Sequence, residues 1–525
     1  MHKSNSIITF TFLVLLFLSE SCSIRVIRQL SFPSSLNSKD STTKDVKVHM
    51  KDGSLYVLDS LVTYSKVDTV YGYGFYYDQY RDLMGSSFYN QINASYIPFK
   101  ISLANVALLE VNEVRGIVGR ALTMALVGVP SVILSIYCIS NPKACFGSCP
   151  TFYSSNGIDT SLMAEGFSSS ILRAYEKDDV DMLYHARTTG NQFHLRMKNE
   201  ALETHVIRYT NLLVLPRTGS DRVFSDGPGD FFRSSIVLGP SFCKASEGSC
   251  LREVQEMDNM ERYSLADSEN LAEREIIEVA FENIPGKDLG LIVGCRQSLM
   301  TTWLFYQSLS YLGNSAGYFA ARIESGDRSL QRKVDGVWDV LGGIEILMEN
   351  GRGKWEKVAQ EGEMGPLASD VHLIRLPATN DKEVRLRLRL TKGLWRLNYL
   401  ALASLDEKIE PVEVEPSIVV SPLKANIGES LLLNPDNPLV TLPGDEYDIY
   451  YNLPEGSDNY EIFLKTRGYY LEWMRDTWIA DENPKRAALF FSFPGLFMRI
   501  VANEFKKVEP SIEESFWNSR YVRQY

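Results

Sequence analysis

The chain has 525 residues, the length of about three or four ordinary domains. Its 45% hydrophobic and 23% charged residues exclude wholesale disorder, and a mean hydropathy of -0.13 excludes a polytopic membrane protein. With 54 Lys and Arg against 66 Asp and Glu the formal charge is -12, which leaves no basic surface to follow a phosphate backbone and excludes nucleic acid as a partner. Aromatic residues make up 11% of the chain, a mix that favours β structure.

Residues 1–21 read as an export signal. Lys3 supplies the positive start, Ile7 to Leu18 is an apolar run too short to span a bilayer, and Ser19 and Ser21 are small residues ahead of Cys22. Cleavage after Ser21 fits ordinary signal removal, and it equally fits lipidation of Cys22 as the first mature residue. The segment resembles a bacterial lipobox, departing from it where Ser19 replaces the usual Leu. The basic stretch Ser23 to Arg28 lacks the acidic run that resembles a surface-export signal, which points to an outer-membrane lipoprotein facing the periplasm. Six further cysteines remain. Cys145 and Cys149, and Cys243 and Cys250, are spaced to close short disulfides in an oxidising compartment; reduced thiols are the alternative for the first pair. Cys138 and Cys295 lie in apolar runs and read as buried small hydrophobes.

Along the mature chain, 22–44 is Ser/Thr/Lys-rich without apolar periodicity and reads as a tether. Two alternating runs, 46–50 and 54–58, flank Asp52-Gly53 and predict a hairpin. With extended runs at 61–64, 94–99 and 106–111 they give a small β module over 45–114, interrupted by a Tyr/Gly/Phe-rich loop at 70–91. Residues 115–143 form an apolar helical segment. Within it 121–142 carries no charge, long enough to span a membrane, although Pro130 suits a buried helical hairpin as well. From 144 to 342 the pattern gives strands at 192–198, 205–215 and 236–238 and helices at 265–282, 297–312 and 328–340. Residues 343–408 carry five strand patterns, including the strict alternation Arg385-Leu-Arg387-Leu-Arg389-Leu, and look like closing strands of a jelly-roll sandwich. A Pro-bearing connector over 409–442 opens the C-terminal α+β section, 409–525, with strands at 445–451 and 459–466 and a helical run from Lys485. The fold class is mainly β with helical insertions (α+β).

Several stretches carry a resemblance: Ser148-Cys-Pro-Thr-Phe-Tyr153, Ala201 to Leu213, Cys295 to Tyr306, Gly362-Glu-Met-Gly-Pro366, Arg385 to Leu405 and Arg467 to Arg475. Together they resemble an uncharacterised, Bacteroidota-like family of envelope lipoproteins with a Cys-Pro-x-x-Tyr motif, over about residues 45–480. The resemblance implies an envelope location and a β-rich body behind an apolar segment; it implies no activity and no catalytic residue.

Candidate chemistry is sparse. Gly313-Asn-Ser315-Ala-Gly317 matches G-x-S-x-G, with His372 downstream, but an elbow needs a strand before it and here the period is helical. Asp221, Asp226 and Asp230 offer hard oxygen ligands without the spacing of a full calcium loop. Tyr469, Tyr470, Trp473 and Arg475 suit sugar stacking or a protein interface, and equally a packed core. No P-loop, GxGxxG or HExxH occurs, and no cofactor is expected. The reading is a non-enzymatic envelope lipoprotein that binds or assembles envelope proteins or glycans, held to the membrane by the lipid on Cys22 and possible contact through 121–139. The alternative is an envelope serine hydrolase using Ser315.

Overall fold

A computed structural model describes residues 24–31, 41–50, 54–64, 67–77, 83–87, 97–116, 149–155, 160–187, 190–421 apart from single positions at 228, 259, 285, 325 and 363, 438–455, 459–473, 478 and 480–519. Cys22, Cys138, Cys145, Arg475 and the apolar stretch 121–142 lie outside them. Two compact units are present: the first takes residues up to 136 with 309–317 and 474–483, and the second takes the rest.

The first unit is an antiparallel sheet. Its strands are β1 (Ile24–Ser31), β2 (Ser41–Met50), β3 (Leu55–Thr63), β4 (Thr69–Tyr77), β5 (Leu83–Ser86), β6 (Phe99–Ser102) and β7 (Val106–Gly116), in the order β1-β7-β2-β3-β4-β5 with β6 on β4. The expected hairpin forms, with Val46 opposite Leu58 and Val48 opposite Tyr56. Val46, Val48, Leu58, Leu61, Val70, Ile101 and Leu109 make its core. Two expectations are corrected. Residues read as tether are strands, because β1 pairs with β7 in continuous register from Ile24↔Gly116 to Ser31↔Leu109. The stretch read as a decorated loop contains β4, whose Val70, Gly72 and Gly74 face inward while Tyr71 and Tyr73 face outward. Glycine on the buried face hid the period of two.

The second unit stacks sheets. Its strands are β8 (Thr151–Ser155), β9 (Thr160–Glu165), β10 (Asp178–Met182), β11 (Gln192–Lys198), β12 (Glu203–Pro216), β13 (Arg222–Ser225), β14 (Phe231–Ser234), β15 (Val237–Leu238), β16 (Phe242–Ala245), β17 (Gly248–Ser249), β18 (Arg262–Tyr263), β19 (Arg274–Glu282), β20 (Leu289–Gln297), β21 (Ile344–Glu349), β22 (Trp355–Glu361), β23 (Asp370–Arg375), β24 (Glu383–Thr391), β25 (Trp395–Ser404), β26 (Glu407–Ile409), β27 (Val412–Val414), β28 (Ile418–Val420), β29 (Leu439–Thr441), β30 (Glu446–Asn452) and β31 (Tyr460–Glu472). The longer helices are α1 (Met300–Leu312), α2 (Ala316–Glu324), α3 (Arg328–Leu341), α4 (Pro484–Ser492), α5 (Pro494–Val508) and α6 (Ile512–Ser519).

The antiparallel sheet β10-β31-β12-β27, with β29 on β12, is the middle layer. One face packs on the sheet β28-β30-β11-β8-β9 around Phe152, Leu195, Leu212, Val214, Ile449 and Ile462. The other face packs Leu213, Leu215 and Phe463 against Phe224 and Phe231 of β13-β14-β26 and against Ile292, Leu373 and Ala401 of β15-β25-β20-β23. A six-stranded sheet, β17-β16-β19-β24-β21-β22, completes the second unit. The chain is thus mainly β with helical insertions, and its body is built of sandwiched sheets. In β24 the leucines 386, 388 and 390 are buried, while Arg385, Arg387 and Arg389 meet Glu349, Glu278 and Glu345 on the outer face.

The boundaries at 342 and 408 do not separate bodies. β25 pairs with β20 and β15, and β30 and β31 pair with β11 and β12, so 144–342, 343–408 and 409–525 share sheets. The connector at 409–442 contributes β27, β28 and β29. The helix expected over 265–282 is replaced by β19. There Glu275 points inward to a bidentate pair with Arg262 (2.6 and 2.7 Å) and Ile276 points outward, so the polar pattern is inverted against burial. Cys243 and Cys250 form a disulfide, with Cα atoms 5.2 Å apart.

Phe463 is the largest side chain that the middle sheet sends into its second core, edge-on to Phe231 at 5.0 Å between ring centres. Phe463→Ala is expected to lower unfolding free energy by about 3–5 kcal/mol, read as a shifted denaturant midpoint.

Candidate functional site

The β12–β31 ribbon positions the site. Its register runs from Glu203↔Glu472 through His205↔Tyr470 and Ile207↔Gly468 to Tyr209↔Arg467, so Arg208 is an extra residue in a bulge. A bulge changes which face the following residues take. Ile207 before it and Leu212 and Val214 after it therefore serve the same core. Arg208 is held at the bulge by Glu176, which also accepts from Arg467 Nε at 3.0 Å. On the near side of the bulge, the core-facing positions are Glu203, His205 and Tyr470. They are polar, and the sandwich opens there into a cavity instead of closing on hydrocarbon.

That cavity, about 60 Å³, is bordered by Cys149 and Glu165 from one sheet, Glu203, Tyr470 and Glu472 from the ribbon, Gln297 at the end of β20, and Thr301, Phe305 and Tyr306 from α1, with Trp338 of α3. A volume of this size holds a few waters or one small polar group. Among the described residues, three carboxylates and four aromatic rings line it. Burial pushes the Glu165 carboxyl up to about 7, against hydrogen bonds from Leu367 N (2.8 Å) and the Cys149 thiol. Burial, then Glu165 and Glu203, push the Cys149 thiol well up; burial, then Cys149 and Glu203, do the same to the Tyr470 hydroxyl. Cys149 Sγ and Tyr470 Oη both donate to Ser168 O, at 3.7 and 3.2 Å. Tyr306 Oη donates to Glu472 Oε1 at 2.9 Å, and Glu203 Oε1 lies 3.4 Å from His205 Nε2, both side chains fully buried. Gly365 permits the loop before β23 to close on Glu165, since a Cβ there would sit 2.4 Å from Oε2.

A second cluster joins β10, β22 and β23. Asp179 and Asp181, two apart on β10, share a face. Asp370 accepts from Val371 N (2.7 Å) and Met182 N (3.2 Å), tying β23 to β10, and also meets His372 Nε2. Glu361 Oε1 lies 3.2 Å from His372 Nδ1. Burial alone would lower the imidazole, but Asp370 and Glu361 on its two nitrogens outweigh it and hold His372 well above 6.5. Burial, then Asp370, raises Asp179 to about 6; burial, then Asp179 and Asp370, raises Asp181 well above its ordinary value. Asp181 Oδ2 is buried without a hydrogen-bond partner. A doubly paired imidazolium with proton-holding carboxylates beside it has no free base nitrogen for a nucleophile.

The residues singled out in the sequence fall as follows. Ser315 is exposed in a single 3-10 turn, Gly313–Ser315, between α1 and α2, so a helix precedes it where an elbow needs a strand. Both motif glycines have packing reasons: Gly313 has φ 49° and abuts Glu482, and Gly317 lies against the Lys47 ammonium. Cys149 is a buried free thiol, the reduced alternative for that pair, and its sulfur is turned to Ser168 O; Cys145 lies outside the described residues. Tyr469 is fully buried and Tyr470 borders the cavity, while Trp473 Nε1 donates to Thr204 Oγ1 at 2.9 Å, so the three do not form one stacking surface. Asp226 and Asp230 meet in a turn through Asp226 N and Asp230 O (3.1 Å), and Lys408 neutralises Asp230. Among the described residues no group of three or more His, Cys, Asp or Glu is arranged to hold a metal ion. Glu165, Glu203, Asp181 and Glu361 were missed. Their one signal is a carboxylate at an inward position of an apolar strand, as in Glu203-Thr-His205-Val-Ile207.

The raised Glu165 pKa makes the folded state the stronger proton binder. Its contribution to stability is full below pH 4.5 and is lost as pH rises to about 7. The loss amounts to about 3 kcal/mol. Glu165→Gln should remove that part of the decline in unfolding free energy between pH 4.5 and 8, measured by urea unfolding across the range; the slope that persists includes Asp179, Asp181 and His372.

No family model matches the chain, and no curated protein matches it. Among solved structures, it is similar to a beta-porphyranase of glycoside hydrolase family 86 from the human gut bacterium Bacteroides plebeius, at 5% identity and TM-score 0.17, over 44% of this chain and 37% of that one. The chain thus spans well under half of that enzyme. A secreted serine protease from Vibrio cholerae, VesC, matches at 8% identity and TM-score 0.13, over 73% of this chain and 76% of that one. At these scores neither carries a fold or an activity over.

Proposed function

We propose that the chain is a non-enzymatic binding module of the bacterial cell envelope, exported and lipid-anchored through Cys22, whose cavity takes a protonated amine carried by an envelope protein or glycan. The observation that carries this reading is the lining of the cavity among the described residues: Glu165, Glu203 and Glu472 together with Phe305, Tyr306, Trp338 and Tyr470. An ammonium group gains from carboxylates by charge and from aromatic faces by cation–π attraction, and a water-poor cavity strengthens both. The Cys243–Cys250 disulfide supports an oxidising compartment, in keeping with the export signal. Nothing around Ser315 favours the hydrolase alternative: it lacks the preceding strand, and both nitrogens of His372 are taken by carboxylates.

Calorimetric titration with N-acetyl-lysine amide tests the ligand class. Its amine, with a pKa of about 10.4, stays charged from pH 6 to 8. Binding should tighten across that range as Glu165 ionises, and Glu165→Gln and Glu472→Gln should each weaken it by roughly tenfold, about 1.4 kcal/mol. Equal binding of the neutral analogue lacking the amine would sink the proposal. For the anchor, growth with an alkyne-bearing fatty acid should label the wild-type chain and leave Cys22→Ala unlabelled; label on both would place the lipid elsewhere.

A further inference from the structure

The C-terminal helices carry a surface that the cavity does not explain. In α5 the residues Phe497, Met498, Val501, Ala502, Phe505 and Val508 are buried. The opposite face should be polar on a helix packed by one stripe. It is not: Leu496 is 52% exposed and Ile500 47%, and Phe493, just before the helix, is 63% exposed. Spacings of three and four place the three side chains on one side of the helix. Asn503 and Lys507 continue that line, Arg499 flanks it, and Lys485 is exposed at the start of α4. The acidic residue within α5, Glu504, is paired bidentately with Arg486 at 2.9 and 3.0 Å, so it does not cancel these cations. A chain of net charge -12 therefore sets its exposed apolar stripe among positive side chains.

We propose that this face of α5 docks on a phospholipid surface bearing anionic headgroups. The surface is one side of a single helix. It matches the interfacial layer of a bilayer, where Phe, Leu and Ile enter the headgroup–acyl boundary and flanking Lys and Arg meet phosphates. The cations flanking the apolar stripe complement anionic headgroups, and a second copy of this acidic chain is the competing occupant that sedimentation tests. The inference does not rest on the cavity or on the lipid at Cys22. Docking by α5 would fix the orientation of the body against the membrane, which an acyl chain on a single residue cannot do.

Vesicle flotation with the full chain carrying Cys22→Ala removes the covalent lipid, and comparison between variants in that background removes any contribution of the leader. The parent should float with vesicles of phosphatidylethanolamine and phosphatidylglycerol, and roughly tenfold less with vesicles of phosphatidylcholine alone. Leu496→Asp with Ile500→Asp should lower the bound fraction on anionic vesicles by roughly tenfold, with the melting temperature unchanged because both positions are exposed. Lys485→Glu with Arg499→Glu and Lys507→Glu should abolish the preference for anionic over neutral vesicles. Flotation of the double Asp variant equal to that of the parent overturns the proposal. So does a concentration-dependent dimer in sedimentation velocity that the double Asp variant loses while flotation stays unchanged.

Discussion

The pairing of β12 with β31 is the constraint on which the second unit depends. Residues more than 240 apart in sequence lie side by side along thirteen registered pairs, from Glu203↔Glu472 to Pro216↔Tyr460. A ribbon buried on both faces must be apolar at consecutive positions, and Leu212-Leu-Val-Leu215 opposite Glu461-Ile-Phe-Leu464 largely meets that demand. Alternate residues then feed two cores, so each sheet against the ribbon is positioned by the same few side chains. The exception, Glu461, sits against Arg222 at 2.8 and 3.0 Å and Val223 N at 3.2 Å, which turns a buried charge into a link between the ribbon and β13.

The bulge at Arg208 adds a second consequence. Without it, the side of the ribbon that packs Leu212 and Val214 would present Thr204 and Val206 near Tyr470. With it, that side presents Glu203 and His205. The insertion is stabilised by charge, since Arg208 and Arg467 share Glu176, and Arg467 also reaches Asp178 at 3.0 Å. Buried pairs of this kind contribute little net stability, because desolvation offsets the attraction, but removing one partner strands the other. Their role in this molecule is to fix register. In the cavity burial wins instead, and it raises Glu165 against the hydrogen bonds it accepts.

How much of this was legible in the sequence depends on whether polarity and burial agreed. The 46–58 hairpin, the Arg–Leu alternation of β24 and the strand at 192–198 are legible because apolar residues face in and polar ones out, and the strand at 205–215 is legible by its apolar run Leu212 to Leu215. The sequence predicts a helix where β19 stands because Glu275 is buried against Arg262 while Ile276 is exposed. It predicts a loop where β4 stands because glycine takes the inward positions. The site failed for the same reason at larger scale. Glu165, Glu203 and Asp181 come from three strands, and no local pattern marks an inward carboxylate whose neighbours arrive from distant segments. Of the residues that were singled out, Cys149 and Tyr470 reach the cavity, the first as a thiol and not as half of a bridge. The misplaced domain boundaries share a cause with these errors. Strands that pair across hundreds of residues leave no composition shift, so a Pro-bearing stretch such as 409–421 reads as a linker although it supplies an edge to two sheets.

His372 shows why a motif match needs its surroundings. In the sequence it follows Ser315 in the order an elbow enzyme uses. A catalytic histidine needs one nitrogen held by a carboxylate and the other free to take a proton from the nucleophile. Here Asp370 and Glu361 occupy both, and the imidazole keeps its proton because each carboxylate favours the charged form. At Glu361 burial pushes upward, but the same protonated ring outweighs it and lowers the carboxyl below its ordinary value, while burial raises Asp179 and Asp181, one strand away. Charge in this cluster is balanced within the fold, between β10, β22 and β23.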